Sequence, residues 1–202
     1  MTESRKMNET IDWGKEALDI EIEALKELRE RLGPPFASAV KMIRECKGKV
    51  IVTGLGKSGH IGEKIAATLA SLGIPSFFMH STEALHGDSG MMTPGDVLIA
   101  ISYSGQTAEV NAVAGLAKDH GIKVISMAKS CSTPLGGIAD ICLEIAVERE
   151  ADPLGLAPTS SSTLTLALGD ALAVAASRAN GFTKADFGKR HPGGALGKKA
   201  KS

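Results

Sequence analysis

The sequence predicts an α/β fold: a five-stranded parallel sheet with helices on both faces, a three-layer sandwich with extra N-terminal helices. Three observations carry this. Five short apolar runs, at 50–52, 76–79, 97–101, 123–127 and 141–146, are mostly unalternated, as strands buried on both faces are. Segments of helical character fall between and after them, at 57–72, 107–120, 135–139 and 162–180, the pattern of a parallel sheet covered on two sides. The first strand also runs directly into a glycine-rich turn and a helix, KVIVTGLGKSG over 49–59.

Taken in order, residues 1–9 are polar and expected to fray. A helix follows over 10–32, with Ile11, Leu18, Ile22, Leu25 and Leu32 on one face and Glu and Lys on the other. Gly33-Pro34-Pro35 ends it, and a second helix covers 35–46. Residues 1–48 therefore read as a helical extension that packs on its own core or on a neighbouring subunit. Residues 49–197 form the main domain and 198–202 a short basic tail.

Bulk properties exclude several function classes. The 202 residues suit one domain with some elaboration, and 43% hydrophobic content supports a large core. Aromatic content of 3% leaves no stacking platform for nucleic acid. Lys+Arg 23 against Asp+Glu 23 gives no electrostatic reason for a nucleic-acid or anionic-membrane partner. The N-terminus lacks the apolar run of a signal peptide, and even the apolar stretch 164–176 carries Asp170, so a cytoplasmic protein is expected. Cys46, Cys131 and Cys142 are odd in number and lack metal-ligand spacing. They suggest a reducing compartment, with Cys142 a core residue.

In a parallel sheet, ligands bind beyond the C-terminal strand ends. After the first strand comes GLGKSG, after the second HSTEALHGD, after the third SYSGQT, and after the fifth Glu148-Arg149-Glu150 and then APTSSS. The glycine turn admits three readings. Gly54, Gly56 and Gly59, with Glu83 further on, match a dinucleotide fingerprint, although Lys57 and Ser58 are polar anchors such a turn does not need. A nucleotide P-loop requires glycine where Ile51 stands, so that reading fails. The third is a phosphosugar pocket: helix N–H groups, the dipole and Lys57 favour an anion, and two hydroxyl-rich loops converge on the same edge. One such loop is usually a helix cap; two beside a lysine-bearing turn point to a phosphate monoester.

Glu109, Glu148, Glu150, His86 and His191 could carry proton chemistry. Glu109 also suits the first turn of a helix, and Glu148 or Glu150 could simply pair with a cation. His191 stands beside Pro192, Gly193 and Gly194, with little reason to lie in a core. His86 and Asp88 form a metal pair without a third ligand.

Five runs together resemble the sugar-isomerase (SIS) domain family, and within it arabinose-5-phosphate isomerases of Kdo biosynthesis, over about residues 50 to 197. They are GLGKSGHIGEKIAATLASLG, EALHGDSGMM, ISYSGQTAEV, VEREADPLGLAPTSSS and HPGGALGKK. The resemblance implies an SIS-type, flavodoxin-like three-layer sandwich and an aldose–ketose isomerase acting on D-arabinose 5-phosphate and D-ribulose 5-phosphate. It implies a homotetramer with sites between subunits, and no cofactor. By family position, Lys57, Glu109, Glu150 and His191 would be catalytic. Gly56, Ser58, His86, Ser102, Ser104, Gln106, Thr107 and Thr159 would bind substrate. No metal is expected to be required, and His86 with His191 would form an inhibitory zinc pair. The alternatives are a phosphosugar sensor without catalysis, an isomerase of a related ketose phosphate, and a nucleotide-dependent oxidoreductase. Many family members continue past HPGGALG into a pair of CBS domains, whereas this sequence ends at Ser202.

Overall fold

A computed structural model of the chain describes residues 3–193 and 199. The five strands are β1 (Val50–Gly54), β2 (Ser76–His80), β3 (Val97–Ile101), β4 (Lys123–Ala128) and β5 (Ile141–Glu144). All pair in parallel, in the order β2-β1-β3-β4-β5. The central strands β1 and β3 are buried at every position, which is why their sequences do not alternate.

Successive strand residues feed two opposite cores. Val50, Val52, Ile99, Ile101 and Met127 face one layer, built from α2 (Pro34–Glu45), α3 (Gly56–Ser71) and α7 (Ser160–Ala179). Ile51, Leu98, Ala100 and Val124 face the other, built from α4 (Ser81–Leu85), α5 (Ala108–Asp119) and α6 (Pro134–Ile138). The α3–α7 contact depends on Gly169, where a Cβ would collide with the Ile65 side chain. The three-layer sandwich matches the predicted class.

Two elements differ from expectation at the ends. Helix α1 (Glu3–Arg31) starts well before residue 10, because its polar opening contains helix formers and no Pro or Gly. Its buried residues are Ala24 and Leu28, on the side that lies against α7. Leu25 is half-buried, whereas Ile11, Leu18, Ile22 and Leu32 of the predicted stripe are exposed. Helix α8 (Lys184–Arg190) is an addition; its Thr183–Asp186 capping box is readable in the sequence. The loop read as irregular after β2 contains α4 and a 3-10 turn, Asp88–Met91. The basic tail at 198–202 lies, apart from Lys199, outside the described residues, as do positions 194–197.

Candidate active site

Strand order 2-1-3-4-5 reverses direction between β1 and β3, which opens a crevice beyond their C-terminal ends. Two loops border it. The turn leaving β1 is tight: a Cβ on Gly54 would stand 3.1 Å from the Ser58 carbonyl. Gly56 adopts φ 57°, a conformation L residues rarely take, and opens α3. Ser58 is half-buried. Lys57 is exposed and makes no ion pair among the described residues, so its charge is available to an anion at the helix N-terminus.

The loop leaving β3 gathers hydroxyls. Ser102 is buried, and its Oγ lies 2.8 Å from Thr107 Oγ1 and 3.5 Å from Ser104 Oγ. Ser104 Oγ accepts the Gln106 N–H at 3.2 Å. Thr107 occupies the N-cap position of α5, yet its side chain caps nothing. The loop is braced from behind. Gly105 has φ 65° and packs against Thr133, Leu135 N–H donates to the Gly105 carbonyl, and Lys129 N–H donates to that of Tyr103. Glu109, in the first turn of α5, is half-buried and makes no hydrogen bond among the described residues.

Glu150 follows β5 and meets the start of α7. Its Oε2 accepts the Thr159 N–H at 2.8 Å, the Ser161 N–H at 3.1 Å and the Thr159 hydroxyl at 3.2 Å. Burial pushes this carboxyl up, but the Ser161 hydroxyl and the bonds from Thr159 N–H, Ser161 N–H and the Thr159 hydroxyl outweigh it, leaving the pKa lowered. The group is a carboxylate at neutral pH. Thr159, expected on substrate, instead directs its N–H and hydroxyl to Glu150.

Two cavities flank this segment. Ser161, Ser162 and Tyr103 line a cavity of about 40 Å³ with Lys57 and Ser58. Glu150 lines a larger one, about 720 Å³, with Trp13, Ile20, Arg149 and Leu154. The start of α7 therefore borders the cavity of Lys57 and also holds Glu150. Tyr103 and Trp13 belong to no candidate set in the sequence; Tyr103 is marked there only by its place at a strand end. Glu148 lies apart, in a groove where it and the carboxylates of Asp12, Glu16, Asp19, Glu23 and Glu27 outnumber Lys15 and Arg149, a balance that disfavours a phosphate.

The histidines divide. His86 is exposed beyond β2, on the same sheet edge as Lys57. His191 lies at the opposite edge. Its Nε2 is 2.9 Å from Ser71 Oγ at the C-terminal end of α3, its Nδ1 is 2.9 Å from the Phe187 carbonyl, and its ring stacks on Phe187 at 3.9 Å. Within one chain His191 joins neither Glu150 nor His86, so the expected zinc pair is not assembled within it. Among the described residues no group of three or more His, Cys, Asp or Glu is arranged to hold a metal ion. No described helix is long and apolar enough to cross a membrane.

The cysteines differ from expectation. Cys131 and Cys142 form a disulfide, with Cα atoms 5.7 Å apart, because β4 and β5 are neighbours and bring the loop after one against the start of the other. Cys142 is half-buried at the sheet edge rather than a core residue, and Cys46 is the free thiol.

The chain is similar to the curated arabinose 5-phosphate isomerase GutQ of Shigella flexneri, 50% identical over 187 residues, covering 93% of this chain and 58% of that protein. It is similar also to arabinose 5-phosphate isomerase KdsD of Pseudomonas aeruginosa, 49% identical over 196 residues, covering 96% and 60%. The chain thus spans less than two thirds of the length of these relatives. Among solved structures, Escherichia coli CFT073 c3406 in complex with arabinose 5-phosphate superposes with a TM-score of 0.89 at 45% identity, covering 95% of this chain and all of that one. The SIS domain model matches residues 42–175, and on that match, with the parallel sandwich and its strand-end loops, the chain belongs to the SIS domain family.

Proposed function

We propose that this protein is an aldose–ketose isomerase interconverting D-arabinose 5-phosphate and D-ribulose 5-phosphate, as a cytoplasmic homotetramer. The observation that carries the reading is the likeness to c3406 in its arabinose 5-phosphate complex, which extends over the entire length of that chain. The curated isomerases support it at about half-identical sequence. In this reading the phosphate lies in the crevice, on Ser58, Ser102, Ser104, Gln106, Thr107 and the α3 N-terminus with Gly56, and His86 faces the sugar.

Isomerisation moves one carbon-bound proton and one oxygen-bound proton. Glu150 removes the proton from C2 of the aldose, and the C–H electron pair becomes the C1–C2 double bond of an enediolate whose charge resides on O1. Lys57 stabilises that charge. His191 of a neighbouring subunit passes the proton between O2 and O1. Glu150 then returns its proton to C1, yielding the ketose with no net change in atoms or electrons. Glu109 orients the sugar hydroxyls. Residues 1–48 supply the subunit contact and 49–197 the isomerase domain, with exposed Leu18 and Ile22 covered by another copy. The charged phosphopentose, which does not cross membranes unaided, fits a cytoplasmic enzyme.

The test is direct. The purified chain is incubated with D-ribulose 5-phosphate and the products are identified by NMR. Arabinose 5-phosphate is expected; a different aldose phosphate or no conversion would overturn the assignment.

A further inference from the structure

Glu150 is held asymmetrically. The three hydrogen bonds from Thr159 N–H, the Thr159 hydroxyl and Ser161 N–H end on Oε2, and Oε1 takes none of them. The Thr159 hydroxyl is itself oriented: its oxygen accepts the Ala151 N–H at 2.8 Å, so its single proton is free to point at Glu150. Ala151 follows Glu150 in the chain, so this bond closes a ring that fixes backbone and side chain together. Ser161 is 2% exposed and is anchored through its carbonyl, which accepts the Thr165 hydroxyl at 2.7 Å. Thr159 holds the N-cap position of α7, yet no side-chain cap bond is made there. Both residues are thus turned from the usual work of a helix start toward one carboxylate oxygen.

We propose that Thr159 and Ser161 are positioning residues for Glu150, clamping Oε2 so that Oε1 alone exchanges the proton with the substrate carbon. The proposal rests on the reading of Glu150 as the proton-transfer base. An unclamped glutamate turns about its side-chain bonds and presents either oxygen. The clamp removes that freedom before substrate arrives, which is where an oriented catalytic group gains its rate. It also gives a reason for the hydroxyls of the APTSSS run other than phosphate binding.

The test compares Thr159→Val, Thr159→Ser and Ser161→Ala with the parent chain and with Glu150→Gln. Steady-state isomerisation of ribulose 5-phosphate gives kcat and KM, and 13C NMR of labelled glutamate follows the Glu150 carboxyl titration. In Thr159→Val, kcat is expected to fall roughly tenfold with KM changed less than about twofold, because no substrate contact is lost. The carboxyl midpoint should move to higher pH, since donors to the ionised form are gone. Thr159→Ser should restore both quantities, and Ser161→Ala, which keeps the N–H bond but removes the hydroxyl that also lowers the Glu150 pKa, should move both in the direction of Thr159→Val. A raised KM with unchanged kcat would show that Thr159 contacts substrate instead and overturn the proposal. So would parental kcat and midpoint in both Thr159→Val and Ser161→Ala while Glu150→Gln is inactive. An active Glu150→Gln would sink the base assignment itself, a separate outcome.

Discussion

His191 Nε2 lies 2.9 Å from Ser71 Oγ, at the end of α3 opposite Lys57. At ~1.5 Å rise per residue the helix alone separates the two ends by about 20 Å. One chain therefore cannot present His191 and Lys57 to the same pentose. If His191 is catalytic, it serves the site of another copy. His191→Ala and Glu150→Gln, each nearly inactive alone, should recover activity when unfolded and refolded together. Random pairing in a symmetric oligomer gives about a quarter of the parental rate. No recovery, with His191→Ala as active as the parent, would leave His191 a structural link between α8 and α3.

The outer face of α1 makes a second prediction. Leu18 is 60% exposed and Ile22 48%, while Ala24 and Leu28 complete the packing on α7. Replacing Leu18 and Ile22 by Asp leaves the internal contact intact but makes any intersubunit contact bury charge, at a cost of several kcal/mol. Light scattering should show a smaller assembly, and activity should fall with it because His191 is then supplied less often. An unchanged and fully active oligomer would place the subunit contact elsewhere.

The sheet and its strand-end loops are legible in the sequence because their signals are local. Val97–Ile101 can be read as a strand from composition, and Gly54 and Gly56 as a turn from conformational need. The stripe of Ile11, Leu18, Ile22 and Leu32 marks the outer face of α1, because the seam on α7 is built from Ala24 and Leu28, of which small Ala24 gives no apolar signal in the sequence. The Cys131–Cys142 pairing is hidden because 11 positions of sequence separation say nothing about strand adjacency. The clamp on Glu150 is hidden likewise: Thr159 is nine positions away, and only the fold turns that loop back on the carboxylate. His191 is legible as an unusual residue, but its distance from Lys57 follows from where α8 docks.

Acid should weaken the fold through the same carboxylates. At Asp140, burial pushes the pKa up, but hydrogen bonds from Lys118, the Val124 N–H and Lys123 pull it lower overall, as the bonds to Glu150 do there. Both folded values are below the unfolded ones, so their contribution is fully present above the ordinary carboxylate range, about 4 to 4.5. It is lost as pH falls through and below that range. The urea midpoint should drop on acidification below about pH 4.5, and Asp140→Asn should flatten part of that slope while already being less stable at neutral pH. An acid slope identical to that of the parent would show that Asp140 contributes nothing to the linkage.

Glu150 and Ser104 should fail in opposite ways. In Glu150→Gln the amide oxygen can occupy the Oε2 position and keep the bonds from Thr159 and Ser161, while the amide NH2 takes the place of Oε1 and cannot accept a proton from carbon. The fold and the substrate contacts survive, so kcat should fall by roughly a hundredfold or more, the scale of a lost base, with little change in KM. Ser104→Ala removes a hydroxyl from the loop that also holds Ser102 and Thr107, and no proton-transfer group. Its loss should raise KM and change kcat far less, the signature of binding shared by ground state and transition state. Measuring both variants on ribulose 5-phosphate tests the division of labour between the α7 start and the β3 loop. If Glu150→Gln turns over at a near-parental rate, proton abstraction belongs to Glu109 or His86, and those positions become the next substitutions.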